Sequence, residues 1–198
     1  MHLVGMASIR INSVKIGPNQ FPVLWNSMVD SARRMGMDKP PDMYIINAAG
    51  ELNAFAARLV SRKLLVLYSD LVDALLEGSD KKQLDAVVCH ELAHHALNHT
   101  HFYNWFLLPA DYIPFLGSAL SRYREYSADR IMKVLIKDQS ICERSLVKLV
   151  SGKNIGNKVN LDEYKNQVNV ERGFFVWLAE MLSSHPHLPK RMLAIKNI

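Results

Sequence analysis

The chain has 198 residues, of which 49% are hydrophobic and 22% charged. That size and balance suit one domain with a buried core and exclude a disordered, collagen-like or low-complexity chain. Lysine and arginine outnumber aspartate and glutamate 24 to 19, a formal charge of +5 carried without long basic runs, so no nucleic-acid partner is expected.

The first twenty residues hold no basic segment followed by an apolar stretch, so no secretory leader is expected. Residues 20 to 36 place Phe21, Leu24, Trp25, Met28, Ala32 and Met35 at helical spacing, and Gly36 with Pro40-Pro41 ends that helix. Asp42 to Asn47 reads as a strand, followed by a turn at 47–50. Leu52–Val60 and Lys63–Tyr68 read as two more strands, joined at Ser61-Arg62. Ser69 caps a helix that runs through Leu76 and stops at Gly78; Ser79 or Asp80 caps the next, expected to reach about His99. Beyond it, Ser118–Lys137 and Ser140–Val150 read as helices, 152–160 as a polar loop and Leu161–Leu182 as one long helix weakened near Gly173. A proline turn at Ser184–Pro189 and a short helix follow. The expected fold class is α+β, mostly helical, with a small antiparallel sheet beside the helix that contains residue 90. No linker divides residues 1–198, so a single domain is expected, with its motifs at about 40–135 and a helical part at 138–198.

Two cysteines, Cys89 and Cys142, exclude a disulfide framework and a four-cysteine zinc module, and point to the cytoplasm. The most apolar segment, 102–120, is broken by Asn104, Pro109, Asp111 and Pro114 and barely reaches the roughly 20 residues of a membrane-spanning helix. No transmembrane span is expected; the segment reads as a cap, as a lid over the cleft, or as a patch for peripheral membrane contact.

Residues 90–94 read His90-Glu91-Leu92-Ala93-His94, an HExxH motif. On a helix, residues four apart differ by about 40° in direction, so both imidazoles leave one face as ligands of a tetrahedral zinc ion require. Glu91 lies about 100° round, where it serves as general base toward a water on the ion without binding it. His95, His99 and His101 point elsewhere on an ideal helix and read as surface or hydrogen-bonded histidines.

A catalytic zinc site needs a third protein ligand. Leu97 and Thr100 occupy the positions where metzincins carry glycine and histidine, which excludes that class. In the next motif-bearing helix, Glu125 and Asp129 are four apart and share a face. Glu125 is the candidate third ligand, and Asp129 the candidate acceptor of a hydrogen bond from a ligand histidine.

His90-Glu91-Leu92-Ala93-His94, followed by Arg122-x-x-Glu125-x-x-Ala128-Asp129, resembles the M48 family of zinc metallopeptidases. Asn53-Ala54-Phe55 resembles a family segment upstream of the motif helix, and Ser184-His185-Pro186 with Arg191 resembles its C-terminal His-Pro…Arg segment. The resemblance spans roughly residues 20–198. It implies a gluzincin-like zincin domain, one Zn²⁺ per chain held by His90, His94 and Glu125, and Glu91 as base. It further implies that His185 and Arg191 bind or polarise the scissile carbonyl. Members such as the HtpX-like and CAAX prenyl proteases are integral membrane proteins; with no complete span between His94 and Glu125, a soluble or peripheral variant is expected here.

The function expected is zinc-dependent endopeptidase activity on protein or peptide substrates, in protein quality control. If the strand bearing Asn53, Ala54 and Phe55 is an edge facing the zinc, a substrate can add to it through main-chain hydrogen bonds. The alternatives are a zinc-binding but inactive chaperone-like or regulatory module, and a basic binding protein with a fortuitous motif.

Overall fold

The computed structural model of the chain describes residues 2–47, 53–59, 62–76, 81–99 and 115–196. Helix α1 (His2–Asn12) leads into a short strand β1 (Val14–Lys15). Helix α2 (Pro22–Arg34) opens with proline in its first turn, where the missing N–H costs no hydrogen bond. Three strands follow: β2 (Asp42–Ile46), β3 (Ala54–Leu59) and β4 (Arg62–Tyr68). Then come α3 (Ser69–Leu76), α4 (Lys81–Ala96), α5 (Leu116–Ile136), α6 (Gln139–Ile155), α7 (Leu161–Val170), α8 (Phe174–Leu182) and α9 (Leu188–Lys196). Asp138 caps α6 by accepting from Ile141 N–H, and Asn160 caps α7 by accepting from the N–H groups of Asp162 and Glu163.

The α+β, mostly helical class is as expected, but the sheet is mixed rather than antiparallel throughout. Its order is β1-β2-β4-β3, with β2 parallel to β4 and the other two pairs antiparallel. The cause lies in Leu64-Leu65-Val66-Leu67, four consecutive apolar residues that are all buried. Such a run needs cover on both faces, which a central strand receives. Leu65 and Leu67 face a core built with Met28 of α2, Leu71 of α3 and Leu84 and Leu92 of α4. Leu64 faces the other way, into a cluster with Tyr44 and Ala57 that Ile9 of α1 covers. Placing β4 centrally leaves β3 on the outer edge of the sheet.

Helix α4 is buried nearly all round, because α2, the sheet, α5 and α6 enclose it. Its second core face joins Ala86 and Cys89 to Met132, Leu146 and Met192. Each fully buried leucine or methionine here contributes about 1.5–3 kcal/mol relative to exposure. This enclosure carries the motif residues of α4 into the interior.

Other boundaries differ from expectation for local reasons. Helix α4 stops at Ala96, and the expected long helix 161–182 is two helices, broken by Gly173 at φ 136°. Helices α1 and the final turn of α6, which continues past Gly152 at φ 79°, were not anticipated. Cys89 and Cys142 are buried free thiols. Among the described residues no helix is long and apolar enough to cross a membrane. The turn residues 48–50, the Ser61 joint, Gly78, the Ser79 and Asp80 caps, His101 and residues 102–114 of the expected lid lie outside the described residues.

Candidate metal centre

Helix α4 supplies His90, Glu91 and His94, and α5 crosses it to supply Glu125 and Asp129. The Nε2 atoms of His90 and His94 are 3.4 Å apart. Glu125 places Oε2 3.4 Å from His90 Nε2 and Oε1 3.5 Å from His94 Nε2. A tetrahedral ion with ligands at about 2.1 Å has donor–donor edges of about 3.4 Å. One Glu125 oxygen lies at about such an edge from each imidazole, and the donor atoms of the three residues converge within 4.8 Å of one another; two imidazoles with one carboxylate suit zinc.

The sides of these ligands away from the shared point are also occupied. His90 Nδ1 lies 3.0 Å from Asp129 Oδ1, which favours the tautomer whose proton sits on Nδ1 and whose lone pair sits on Nε2. His94 Nδ1 lies 3.1 Å from Nδ1 of His99. Asp129 is itself held by Arg191 of α9, through Nε to Oδ2 and Nη2 to Oδ1, both 2.7 Å. Arg191 Nη1 reaches Glu125 Oε2 at 3.1 Å. Arg191 is only 5% exposed, and its guanidinium is committed to Asp129 and Glu125, with Nη2 also 3.4 Å from His90 Nε2.

Charges in this pocket follow from burial and proximity. For His90, burial favours the neutral form, but hydrogen bonds to Asp129 and Glu125 outweigh it and raise the pKa from 6.5 to about 10. For His94, burial and then the charge on His90 lower it to about 3. Burial opposes ionisation of Glu125, yet its hydrogen bonds to His185 and His90 and the nearby Arg191 hold its carboxyl well below the usual range. Asp129 is held low chiefly by Arg191 against its own burial. Without metal, the proton shared by this pair of histidines resides on His90.

Glu91 is partly buried one residue from His90. Burial and the charge of Glu125 push its pKa up, and it accepts a hydrogen bond from the main-chain N–H of Ala56. The register of β3 explains that donor. Tyr68 N–H bonds Asn53 C=O at 3.0 Å, and alternation then directs the main-chain groups of residues 55 and 57 to β4. The groups of Ala54 and Ala56 point to the open edge. Asn53 and Ala54, with Val87, His90 and Glu91, line a cavity of about 30 Å³, enough for one water molecule.

Phe55 is placed differently from the expected substrate contact. Its side chain lies on the opposite face of the sheet, edge-on to Tyr68 with ring centroids 6.1 Å apart, because neighbouring strand residues alternate faces. His185 is brought to the site: its Nδ1 is 3.5 Å from Glu125 Oε1, and its side chain is 68% exposed. Its turn is anchored by Arg122, whose Nη1 donates to the carbonyls of Glu180 (2.9 Å), Met181 (3.1 Å) and Ser183 (2.9 Å). That task of Arg122 escaped the sequence reading, as did the contact of His99. The remaining histidine of the motif helix, His95, is buried with Nε2 2.9 Å from Leu64 C=O, a hydrogen-bonded histidine as expected.

The model of peptidase family M48 matches residues 18–108 and 102–198. A protease HtpX homologue of Helicobacter pylori is 28% identical over 79% of this chain and 60% of its own length. One from Helicobacter acinonychis is 28% identical over 90% of the chain and 67% of its own length. The plastoglobule-localized metallopeptidase 48 of Arabidopsis thaliana is 25% identical over 78% of the chain and 48% of its own. The crystal structure of S. mikatae Ste24p shares the fold, with a TM-score of 0.63 at 19% identity, covering 98% of this chain and 55% of that one. The chain thus spans roughly half to two thirds of these relatives.

Proposed function

The chain belongs to peptidase family M48, and from that membership we propose that it is a zinc-dependent endopeptidase, with residues 18–198 forming one peptidase unit. His90, His94 and Glu125 hold the ion. When bound, zinc supplies Lewis acidity, which polarises a carbonyl and makes a water molecule easier to deprotonate.

The protein's own groups do the rest. Glu91 takes the proton of the attacking water on its carboxylate and returns it to the departing amine. Its raised pKa suits both halves of that exchange, and Ala56 N–H fixes the carboxylate. His185, exposed beside Glu125, offers a donor to the oxygen on which negative charge develops. Arg191 keeps Asp129 and Glu125 in place. The carbonyls of Ala54 and Ala56 lie along the edge of β3, where an extended polypeptide can donate its N–H groups as an added strand, while the N–H groups of these two residues are held by Asn53 Oδ1 and Glu91. Recognition of this kind reads backbone more than side chains and suits unfolded protein substrates.

The observation that carries this reading is the convergence of His90, His94 and Glu125, with the two Nε2 atoms 3.4 Å apart and a Glu125 oxygen 3.4 or 3.5 Å from each, beside Glu91, whose carboxylate meets the edge strand β3. Metal analysis of protein purified without chelator, joined to a casein-cleavage assay of wild type and Glu91→Gln, tests it. The expected result is about one zinc per chain in both proteins, with cleavage lost in the variant. Full zinc without cleavage by wild type would favour an inactive zinc-binding module. Absence of zinc would overturn the metal-site assignment.

A further inference from the structure

The two ligand histidines are supported by different partners. His90 leans on a carboxylate, Asp129. His94 leans on another imidazole: its ring and that of His99 have centroids 5.1 Å apart and planes inclined by 66°.

His99 reaches this place because of how α4 ends. Leu97 N–H still bonds Ala93 C=O at 2.8 Å, but Asn98 adopts a left-handed conformation at φ 56°. Asparagine tolerates that region better than most residues and commonly stands past a helix end. The reversal lets His99 N–H bond the carbonyl of His94 itself, at 2.9 Å. The main chain thus swings the ring of residue 99 back against the ring of residue 94.

Two ring nitrogens 3.1 Å apart satisfy one another only if one carries the proton and the other the lone pair. If His94 binds a cation through Nε2, its proton must lie on Nδ1. His99 Nδ1 is then the acceptor, and His99 carries its own proton on Nε2.

We propose that His99 is a positioning residue of the metal site: by accepting the Nδ1 proton of His94, it fixes the tautomer and the ring orientation that aim Nε2 of His94 at the ion. This rests on His90, His94 and Glu125 holding zinc. Partners of this kind affect metal affinity by about 10- to 100-fold.

The test is Zn²⁺ competition against a chelator using the full chain as wild type, His99→Phe and His99→Gln. Phenylalanine keeps a ring without an acceptor, whereas glutamine supplies a side-chain carbonyl. The expected result is about 10- to 100-fold weaker zinc binding in His99→Phe and recovery of most of it in His99→Gln. Thermal unfolding of the metal-free proteins should show no matching difference between the variants. In ¹⁵N-labelled zinc-loaded protein, the His94 Nδ1 proton signal should persist in wild type and His99→Gln and be lost to exchange in His99→Phe. Wild-type affinity in His99→Phe, or a glutamine variant no better than phenylalanine, would overturn this inference alone. A wild-type chain that takes up no zinc would overturn the metal-site reading as well.

Discussion

Arg191 grips Asp129 from 62 residues away in sequence, through two parallel contacts of 2.7 Å, and the same Asp129 holds the back of His90. Both partners are buried, so neither can turn to water if the other is removed. Arg191→Ala should therefore destabilise the metal-free protein by about 3–5 kcal/mol. Adding Asp129→Asn to that variant should cost far less than the two single changes summed, with a coupling of about 0.5–3 kcal/mol. Urea unfolding of the four proteins measures this, and strict additivity would contradict the coupling.

Ala56→Pro deletes the N–H that Glu91 accepts while leaving intact the ladder to β4, since that N–H faces the open edge. A hydrogen bond to a charged group contributes about 1.5–3 kcal/mol. Peptide hydrolysis should fall roughly 10- to 100-fold at unchanged zinc content. Unaltered kcat/KM would remove Ala56 from the machinery.

Zinc uptake should release a proton from His90. Its pKa is raised to about 10, so it is protonated in the metal-free protein at neutral pH, whereas His94, lowered to about 3, is neutral. Metal binding needs both neutral, so apparent affinity should climb about tenfold per pH unit around neutrality and level off near pH 10. The metal-free fold moves the opposite way. Stability derived from a raised pKa is fully present below the ordinary value of 6.5 and drains away as pH rises through 10. Calorimetry in buffers of different ionisation enthalpy counts the protons; none released at pH 7 would contradict the assignment.

Arg122→Met removes the donor shared by three carbonyls at the end of α8. The expected outcome is retained zinc with a several-fold loss of peptide hydrolysis, because the turn bearing His185 loses its anchor. Loss of zinc in proportion to activity would instead place Arg122 with the metal ligands. The two assays on one preparation separate these outcomes.

The parts of this site legible in the sequence are those governed by helical period. Residues 90 and 94, and 125 and 129, are four apart, and a helix must present each pair on one face. What period cannot tell is which way a distant side chain turns. Arg191 carries a charge suited to a carbonyl or to carboxylates, and only the docking of α9 onto α5 commits it to Asp129 and Glu125. His99 escaped because an ideal helix continued through residue 99 puts its ring about half a turn from His90; the left-handed Asn98 breaks that geometry. The same limit hid the strand order. The run Leu64–Leu67 reveals two-sided burial, but its neighbours depend on how the chain crosses the sheet. Helix α1 carried no cap and no clear apolar stripe to announce it.

The arginine that completes the pocket stands 101 positions after His90. A ribosome makes all three metal donors long before it makes this cation. Until α9 arrives, Asp129 and Glu125 lack the guanidinium that bonds both of them, and of the imidazoles only that of His90 faces both. The carboxylates around the two histidines are thus fully compensated only once α9 has docked on α5.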